Sequence, residues 1–279
     1  MNVLFVMGMP YDIENKNLEF QKKFKNFDIR YYLTNYISKW SDNNIENLEK
    51  NKNYLLTEKI KNINAKYYSK LDLILLYKKY FKNFYDLLLN IMSDDKIKLN
   101  DETYYSSHYF SQVQETLNEY VYYCEILKNE KLDKNDKIIF ISTNMSFVEN
   151  DFDFLTCFSD KIHHFINDTP EFFTNRPLMK SDFHFFDYDF TFLAWNFWWT
   201  NFEKFSIIVD ELEDNLLYIY NKMYINNNIP IVDSEVARGY IFNRYIDNNG
   251  PVNIVKNKPD FEKIKYDFCK EFKEVETIQ

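Results

Sequence analysis

Glycine is nearly absent from this chain: 3 residues in 279, alongside 6 prolines. Architectures that depend on dense glycine or proline punctuation (collagen-like, linker-rich or built of many tight β-turns) are therefore excluded. Cysteine is scarce too. Cys124, Cys157 and Cys269 stand far apart and form no Cys-x-x-Cys, so neither a disulfide framework nor a structural zinc site is expected, and a reducing compartment fits. Basic charge is in deficit: 34 Lys and Arg against 43 Asp and Glu leave a net charge of −9. That sign argues against a general nucleic-acid binder, whose phosphate contacts need a basic surface. No apolar run reaches the roughly 18 residues of a membrane span, and the stretch from Phe190 to Trp199 falls short of it. The opening segment through Met7 has no basic region before its apolar residues and no small-residue cleavage site after them, so it reads as a strand rather than a signal peptide. A cytoplasmic protein with no transmembrane segment and no nucleic-acid partner is expected, with peripheral membrane association left open.

What the chain does have is aromatic mass: Phe 27, Tyr 23 and Trp 4, or 19% of residues. Only Arg30, Arg176, Arg238 and Arg244 are arginines, and Asn and Ile abound. This is the mark of codon bias in an AT-rich genome, so aromatic abundance alone carries no functional weight. Each arginine is the more noticeable, because a guanidinium grips phosphate bidentately where lysine does not. With 46% hydrophobic and 28% charged residues the chain is globular and long enough to bury a large core.

Val3 to Met7 is a continuous apolar run ending at Gly8 and Pro10, the pattern of a buried strand closed by a turn. Helical spacing follows over Ile13 to Phe24, then a second strand over Phe27 to Leu33. Leu71 to Met92 predicts one core-facing helix, and Ser106 or Ser107 caps another running to about Leu127. Lys137 to Ile141 is the clearest buried strand, bounded by Ser142, Thr143 and Asn144. Phe183 to Leu193 reads as extended, Glu203 to Tyr224 and Ser234 to Tyr245 as helices, Val252 to Val255 as a short strand and Phe261 to Val275 as a terminal helix. Strands alternating with helices describe an α/β domain with a largely parallel sheet. The expectation is one domain over residues 1–279, with a helical insertion at about 45–100.

The standard phosphate, nucleophile-elbow and zinc motifs are missing from the sequence. Gly8 after a strand is either a simple turn or a point where backbone approaches a ligand. Adjacent His163 and His164 face opposite sides of an extended segment, which suits a structural role better than joint metal ligation. Asp151-Phe-Asp153 and Asp187-Tyr-Asp189 are Asp-x-Asp pairs. Two carboxylates at a strand end can hold Mg²⁺ or Mn²⁺ against a diphosphate, although the pattern also arises by chance in so acidic a chain. The run Asp210 to Asp214 reads as a solvated helix face. Asp233-Ser-Glu235 is an ordinary helix start with an N-cap, or else places Glu235 beside a cleft as a base on a sugar hydroxyl.

In chain order, the Gly-x-Pro turn at Gly8–Pro10, the Ser106-Ser-His-Tyr start, the strand through Ser142-Thr143-Asn144, the aromatic segment led by Asp187 and the Ser234-Glu235 helix start form a recognisable series. It resembles the glycosyltransferase-like proteins of bacterial lipopolysaccharide and capsule clusters, including WavE-like ones, which also occur in large viruses. The resemblance spans most of the chain through short motifs. It implies a GT-A-like, Rossmann-like fold and transfer of a sugar from a nucleotide-sugar donor to a surface-glycan acceptor. Gly8, Pro10 and Tyr11 would then border the nucleotide. Asn144 and the pair Asp187 and Asp189 would lie near the diphosphate, with or without Mn²⁺ or Mg²⁺, and Arg238 or Arg244 would be a phosphate partner. Glu235 is the candidate base and Asp189 its competitor. The sequence departs from the family where Arg-x-Asp falls on Ser142-Thr143-Asn144, because Asn supplies no charge to a metal. It departs again at Tyr11, where the family carries a basic residue. These departures keep two alternatives open: a catalytically inactive relative that binds a glycan or a protein, and a transferase of a non-sugar group onto polysaccharide.

Overall fold

The computed structural model describes residues 1–8, 13–34, 63–68, 70–93, 96–99, 102–105, 119–143, 162–164, 197–225, 234–242 and 244–245. In chain order the elements are β1 (Asn2–Gly8), α1 (Ile13–Lys23), β2 (Asp28–Thr34), β3 (Ala65–Tyr68), α2 (Lys70–Tyr80), α3 (Lys82–Ser93), β4 (Lys96–Leu99), β5 (Glu102–Tyr105), α4 (residues 119–129), β6 (Lys137–Ser142), β7 (His163–His164), β8 (Phe197–Asn201), α5 (Phe202–Asp210), α6 (Leu212–Ile225) and α7 (Ser234–Phe242). The segments expected at 183–193, 252–255 and 261–275, and the start of the helix at Ser106 or Ser107, lie outside the described residues.

Six strands form one sheet in the order β3-β2-β1-β6-β8-β7. The first four are mutually parallel; β8 runs antiparallel to β6, and β7 antiparallel to β8. The protein is thus an α/β fold on a mixed, largely parallel sheet. A separate hairpin pairs β4 with β5.

Two neighbouring tyrosines show that both faces of the sheet are covered. Successive strand residues point to opposite faces. On one face the Tyr31 hydroxyl donates to Asn17 Oδ1 of α1 at 2.7 Å. On the other, Tyr32 packs on Tyr122 of α4 and donates to Glu130 just beyond that helix. Burial on both sides explains why β1 and β6 are unbroken apolar runs, with Val3 to Met7 and Ile138 to Ile141 all buried. The α4 face holds an aromatic stack: Phe140 lies between Phe5 (5.4 Å, centroid to centroid) and Trp198 (4.3 Å), with Tyr123 meeting both Phe140 and Trp198 edge-on. Phe205 of α5 and Phe242 of α7 close over it. Offset and edge-on geometry suits the ring quadrupoles. Cys124 is buried beside this layer, and burial pushes its thiol up to about 12, which leaves it inert.

Three expectations need correction. The helix predicted over Leu71 to Met92 is two helices, interrupted at Phe81. The interruption frees the N–H groups of Asn83 and Phe84, and both donate to Glu213 Oε1 of α6, at 2.7 and 3.3 Å. A carboxylate there also complements the positive end of the α3 dipole. The helix predicted over Glu203 to Tyr224 is likewise divided, into α5 and α6 at Glu211. Asn201 starts α5 by accepting from Lys204 N at 2.8 Å. The acidic run Asp210 to Asp214 is not simply a solvated face, since Glu213 caps α3 and Glu211 accepts from the Tyr245 hydroxyl at 2.7 Å. Several strands had no counterpart in the sequence reading: β3, β8 and the hairpin pair β4 and β5. β3 joins the main sheet from within the stretch read as a helical insertion, and β8 occupies the end of the Phe190–Trp199 apolar run.

Candidate functional site

From β1 the chain moves outward through β2 to β3, while β6 lies on the opposite side of β1. The strand order therefore reverses between β1 and β6. In open α/β sheets the crevice outside the carboxyl ends of strands at such a reversal is where ligands bind. Here the two strands end together: Met7 is in register with Ser142, and Thr143 N donates to Met7 O at 2.9 Å.

Gly8 closes β1 with φ +130, a conformation that side-chain-bearing residues avoid. A Cβ at this position would lie 2.7 Å from Thr143 Oγ1 and 3.7 Å from Ser142 Oγ. Thr143 is only 2% exposed and has little room to yield. Both the backbone angle and the close approach thus require glycine, and the group that approaches is the Thr143 hydroxyl. Two neutral hydroxyls, those of Ser142 and Thr143, therefore border the carboxyl end of β1. Neither was singled out as a site residue in the sequence; the signal was their position immediately after the clearest strand. Pro10 and Tyr11 follow Gly8 in the chain and Asn144 follows Thr143, but all three lie outside the described residues, as do Asp187 and Asp189.

The direction of α4 shows what else stands at this end of the sheet. Arg30, early in β2, pairs with Glu130. Tyr68, at the end of β3, reaches Glu125 at 3.3 Å, and Phe140, in the second half of β6, meets Tyr123. Later strand positions meet earlier helix positions, so α4 runs against the parallel strands. Its first described residue, Glu119, is one turn or about 6 Å beyond Tyr123 toward the end where β1 and β6 stop.

Glu119 is the partner of Arg238. Arg238 is 1% exposed and its Nη2 donates to Glu119 Oε2 at 3.0 Å. The Tyr123 hydroxyl donates to Glu119 Oε1 and accepts from Trp198 Nε1 at 3.0 Å. Burial first, and then the Glu119 charge, hold Tyr123 protonated by raising its hydroxyl well above 10. In this structure the Arg238 guanidinium is therefore engaged by a protein carboxylate and ties α7 to α4. Arg244 is half-exposed and engages α6, donating from Nη2 to Asn215 Oδ1 at 2.7 Å, with Glu211 Oε2 3.8 Å away. Glu235 lies in the first turn of α7, three residues before Arg238. Nothing in the sequence pointed to Glu119, whose partner is 119 positions away.

The chain matches no protein-family model, no curated protein and no solved structure. The site must therefore be argued from its own residues.

A divalent cation is a poor fit to the described part of the crevice. Among the described residues no group of three or more His, Cys, Asp or Glu could hold a metal. The strand-end hydroxyls of Ser142 and Thr143 are neutral and would leave a cation's charge unbalanced. His163 and His164 form the short edge strand β7, in register with Trp199 and Trp198.

A second polar cluster lies along α4 over β2 and β3. Glu130 accepts from Arg30, Tyr32 and Lys66, the last at 2.7 Å. Glu125 accepts from Tyr80, from Tyr68 at 3.3 Å and from Asn129 Nδ2 at 3.0 Å. Burial works to raise Glu130, but hydrogen bonds from Lys66 and Tyr32 and the charges of Lys66 and Arg30 hold it below its ordinary value. Burial, followed by the bond to Glu125, pushes Tyr80 up to about 12. Every carboxylate oxygen in this cluster has a donor, which marks it as a structural brace.

Proposed function

We propose that the protein is a glycosyltransferase that moves a sugar from a nucleotide-sugar donor to a glycan acceptor. The observation that carries this reading is the reversal of strand order at the carboxyl ends of β1 and β6, the place where open α/β sheets bind ligands. The first described residue of α4, Glu119, which anchors α7 through Arg238, stands at the same end of the sheet. A GT-A-like fold, a finer description than the α/β sheet itself, belongs to this proposal. So do the roles of Pro10, Tyr11, Asn144 and Arg244 at the nucleotide, and of Asp187 and Asp189 as ligands for Mn²⁺ or Mg²⁺.

In the proposed step the acceptor hydroxyl oxygen attacks the anomeric carbon and its proton passes to the Glu235 carboxylate. The bond from the anomeric carbon to the phosphate oxygen breaks, and the nucleoside diphosphate leaves with the electron pair. Carboxylate bases act in this way when they lie within hydrogen-bond reach of the proton. Ser142, only partly buried at the end of β6, supplies a neutral hydrogen-bond donor suited to orienting a phosphate without neutralising it.

The test is a thermal-shift panel of UDP, GDP, CMP and dTDP sugars, each with and without Mn²⁺, followed by turnover assays on any ligand that binds. A ligand at about 100 times its Kd stabilises by roughly 2.7 kcal/mol, a shift of several degrees for a chain of this size. A selective shift with turnover that is lost in Glu235→Gln supports the reading. Binding without turnover favours the second reading, an inactive relative that binds a glycan or protein, for which the Asn at position 144 in place of the family's Asp is the motive. No shift with any nucleotide sugar removes the proposal.

A further inference from the structure

The buried pair Glu119–Arg238 has no counterpart in the step just described, yet it is the most deeply buried ionic contact among the described residues. It sits in a chain of polar groups running from Trp198 through Tyr123 and Glu119 to Arg238. Trp198 stacks at 4.3 Å on Phe140 of β6, the strand that ends at the crevice two residues later. Its ring also receives Phe242, the last residue of α7, edge-on at 4.8 Å.

Helix α7 is therefore attached to the α4 side at two points one turn apart, Arg238 on Glu119 and Phe242 on Trp198, and it packs on α6 through Tyr240, stacked on Tyr218 at 5.8 Å. A single attachment would let a short helix pivot or slide. Three attachments, one directional and two by packing, fix its rotation and its axial position together. The polar attachment is the specifying one, since a guanidinium fork meets a carboxylate in few geometries, whereas an apolar contact tolerates sliding. A buried ion pair is poor evidence for stability, because apolar residues of similar volume often hold a core as well. Its use here is to set register. The Arg238 and Phe242 attachments lead back to the aromatic stack on β6, so α7 is registered against the strand that ends where the strand order reverses.

We propose that Glu119 is a positioning residue: through Arg238 it sets the register of α7 and so holds Glu235 in place at the carboxyl end of the sheet. This rests on the transfer reading for the role of Glu235, while the seating of α7 is independent of it.

The experiment replaces both partners together, Glu119→Met with Arg238→Met, so that no charge is left buried alone. Hydrogen exchange and turnover are then measured on the same full-length protein. Amides of residues 234–242 should exchange at least tenfold faster, while β1 and β6 keep their protection. With the base misplaced, kcat should fall about 100-fold with the donor KM little changed, as expected of a displacement near 1 Å. Adding Glu235→Gln should then cost little more, because a base already out of position has little left to lose. Unchanged exchange in α7 overturns the seating role. Faster exchange with normal kcat, or a full additional loss from Glu235→Gln, overturns the positioning role. If the double variant does not fold, Arg238→Lys, which keeps the charge but loses the fork, carries the same comparison. Absence of turnover in the unmodified protein removes Glu235 and its positioning together, and the exchange data still decide how α7 is seated.

Discussion

The two ends of α4 carry the same chemistry in different surroundings. Near its carboxyl end Glu130 gathers Arg30, Lys66 and Tyr32 at a partly exposed rim, where Lys66 is 40% exposed. At the other end Glu119, itself 12% exposed, accepts from the Arg238 guanidinium, which is 1% exposed, and from Tyr123, which is wholly buried. Water can replace a lost partner at the rim but not in the core. The three donors at the rim therefore form a brace whose cationic members are individually dispensable, while the buried donors at Glu119 have no such substitute. The two carboxylates are about equally exposed, so what distinguishes the two ends is whether solvent can reach the cation that each one meets.

The largest effect should come from breaking the core pair on one side only. Arg238→Met leaves the Glu119 charge buried without its cation and should cost about 3–5 kcal/mol in urea unfolding. The paired replacement at both positions should cost far less, and an equal loss would mean that packing volume rather than charge governs this end. Next comes Gly8→Ala, which meets both a forbidden φ and the 2.7 Å approach to Thr143 Oγ1; a loss of about 1–3 kcal/mol is expected. Combining it with Thr143→Ala removes the contact and leaves the φ, so the fraction recovered separates the two causes. Glu213→Gln weakens the charged cap on α3 and should cost about 1 kcal/mol, close to the usual value of a helix cap.

The smallest effect belongs to the rim. Glu130→Gln should cost about 1 kcal/mol or less at neutral pH. Its pH dependence is the sharper measurement. Because the folded protein holds this carboxyl below its ordinary 4.5, the associated stability is fully present above 4.5 and is lost as pH falls through the lower folded value. The variant should lose that part of the acid slope, with its deficit full above pH 6 and shrinking toward zero as the wild-type carboxyl is protonated. An unaltered acid slope would show that Glu130 contributes nothing through its charge.

How much of this was legible depended on whether the cause was local. β1 and β6 could be read because a strand buried on both faces must be apolar throughout, and Val3 to Met7 and Ile138 to Ile141 are. β3 could not, since Ala-Lys-Tyr-Tyr at a sheet edge lacks both the apolar run and a clean alternation. The break at Phe81 had no local mark either, because its cap arrives from Glu213, 130 positions along the chain. At the crevice, Gly8 was visible as a glycine after a strand, but its neighbour Thr143 was visible only as part of a polar turn. Arg238 stood out by rarity and was read as a phosphate partner, whereas the fold surrounds it with Glu119 and the aromatic layer.

The sequence by itself determined the class: an acidic α/β chain whose strongest apolar runs become adjacent parallel strands, because burying both faces of a strand is a demand that composition alone can meet. Only the tertiary structure decided which of those strands are neighbours, where the order reverses, and which carboxylate each arginine meets. The deciding contacts bring together residues far apart in the chain, as β1 with β6 and Glu119 with Arg238, and periodicity carries no information over such distances.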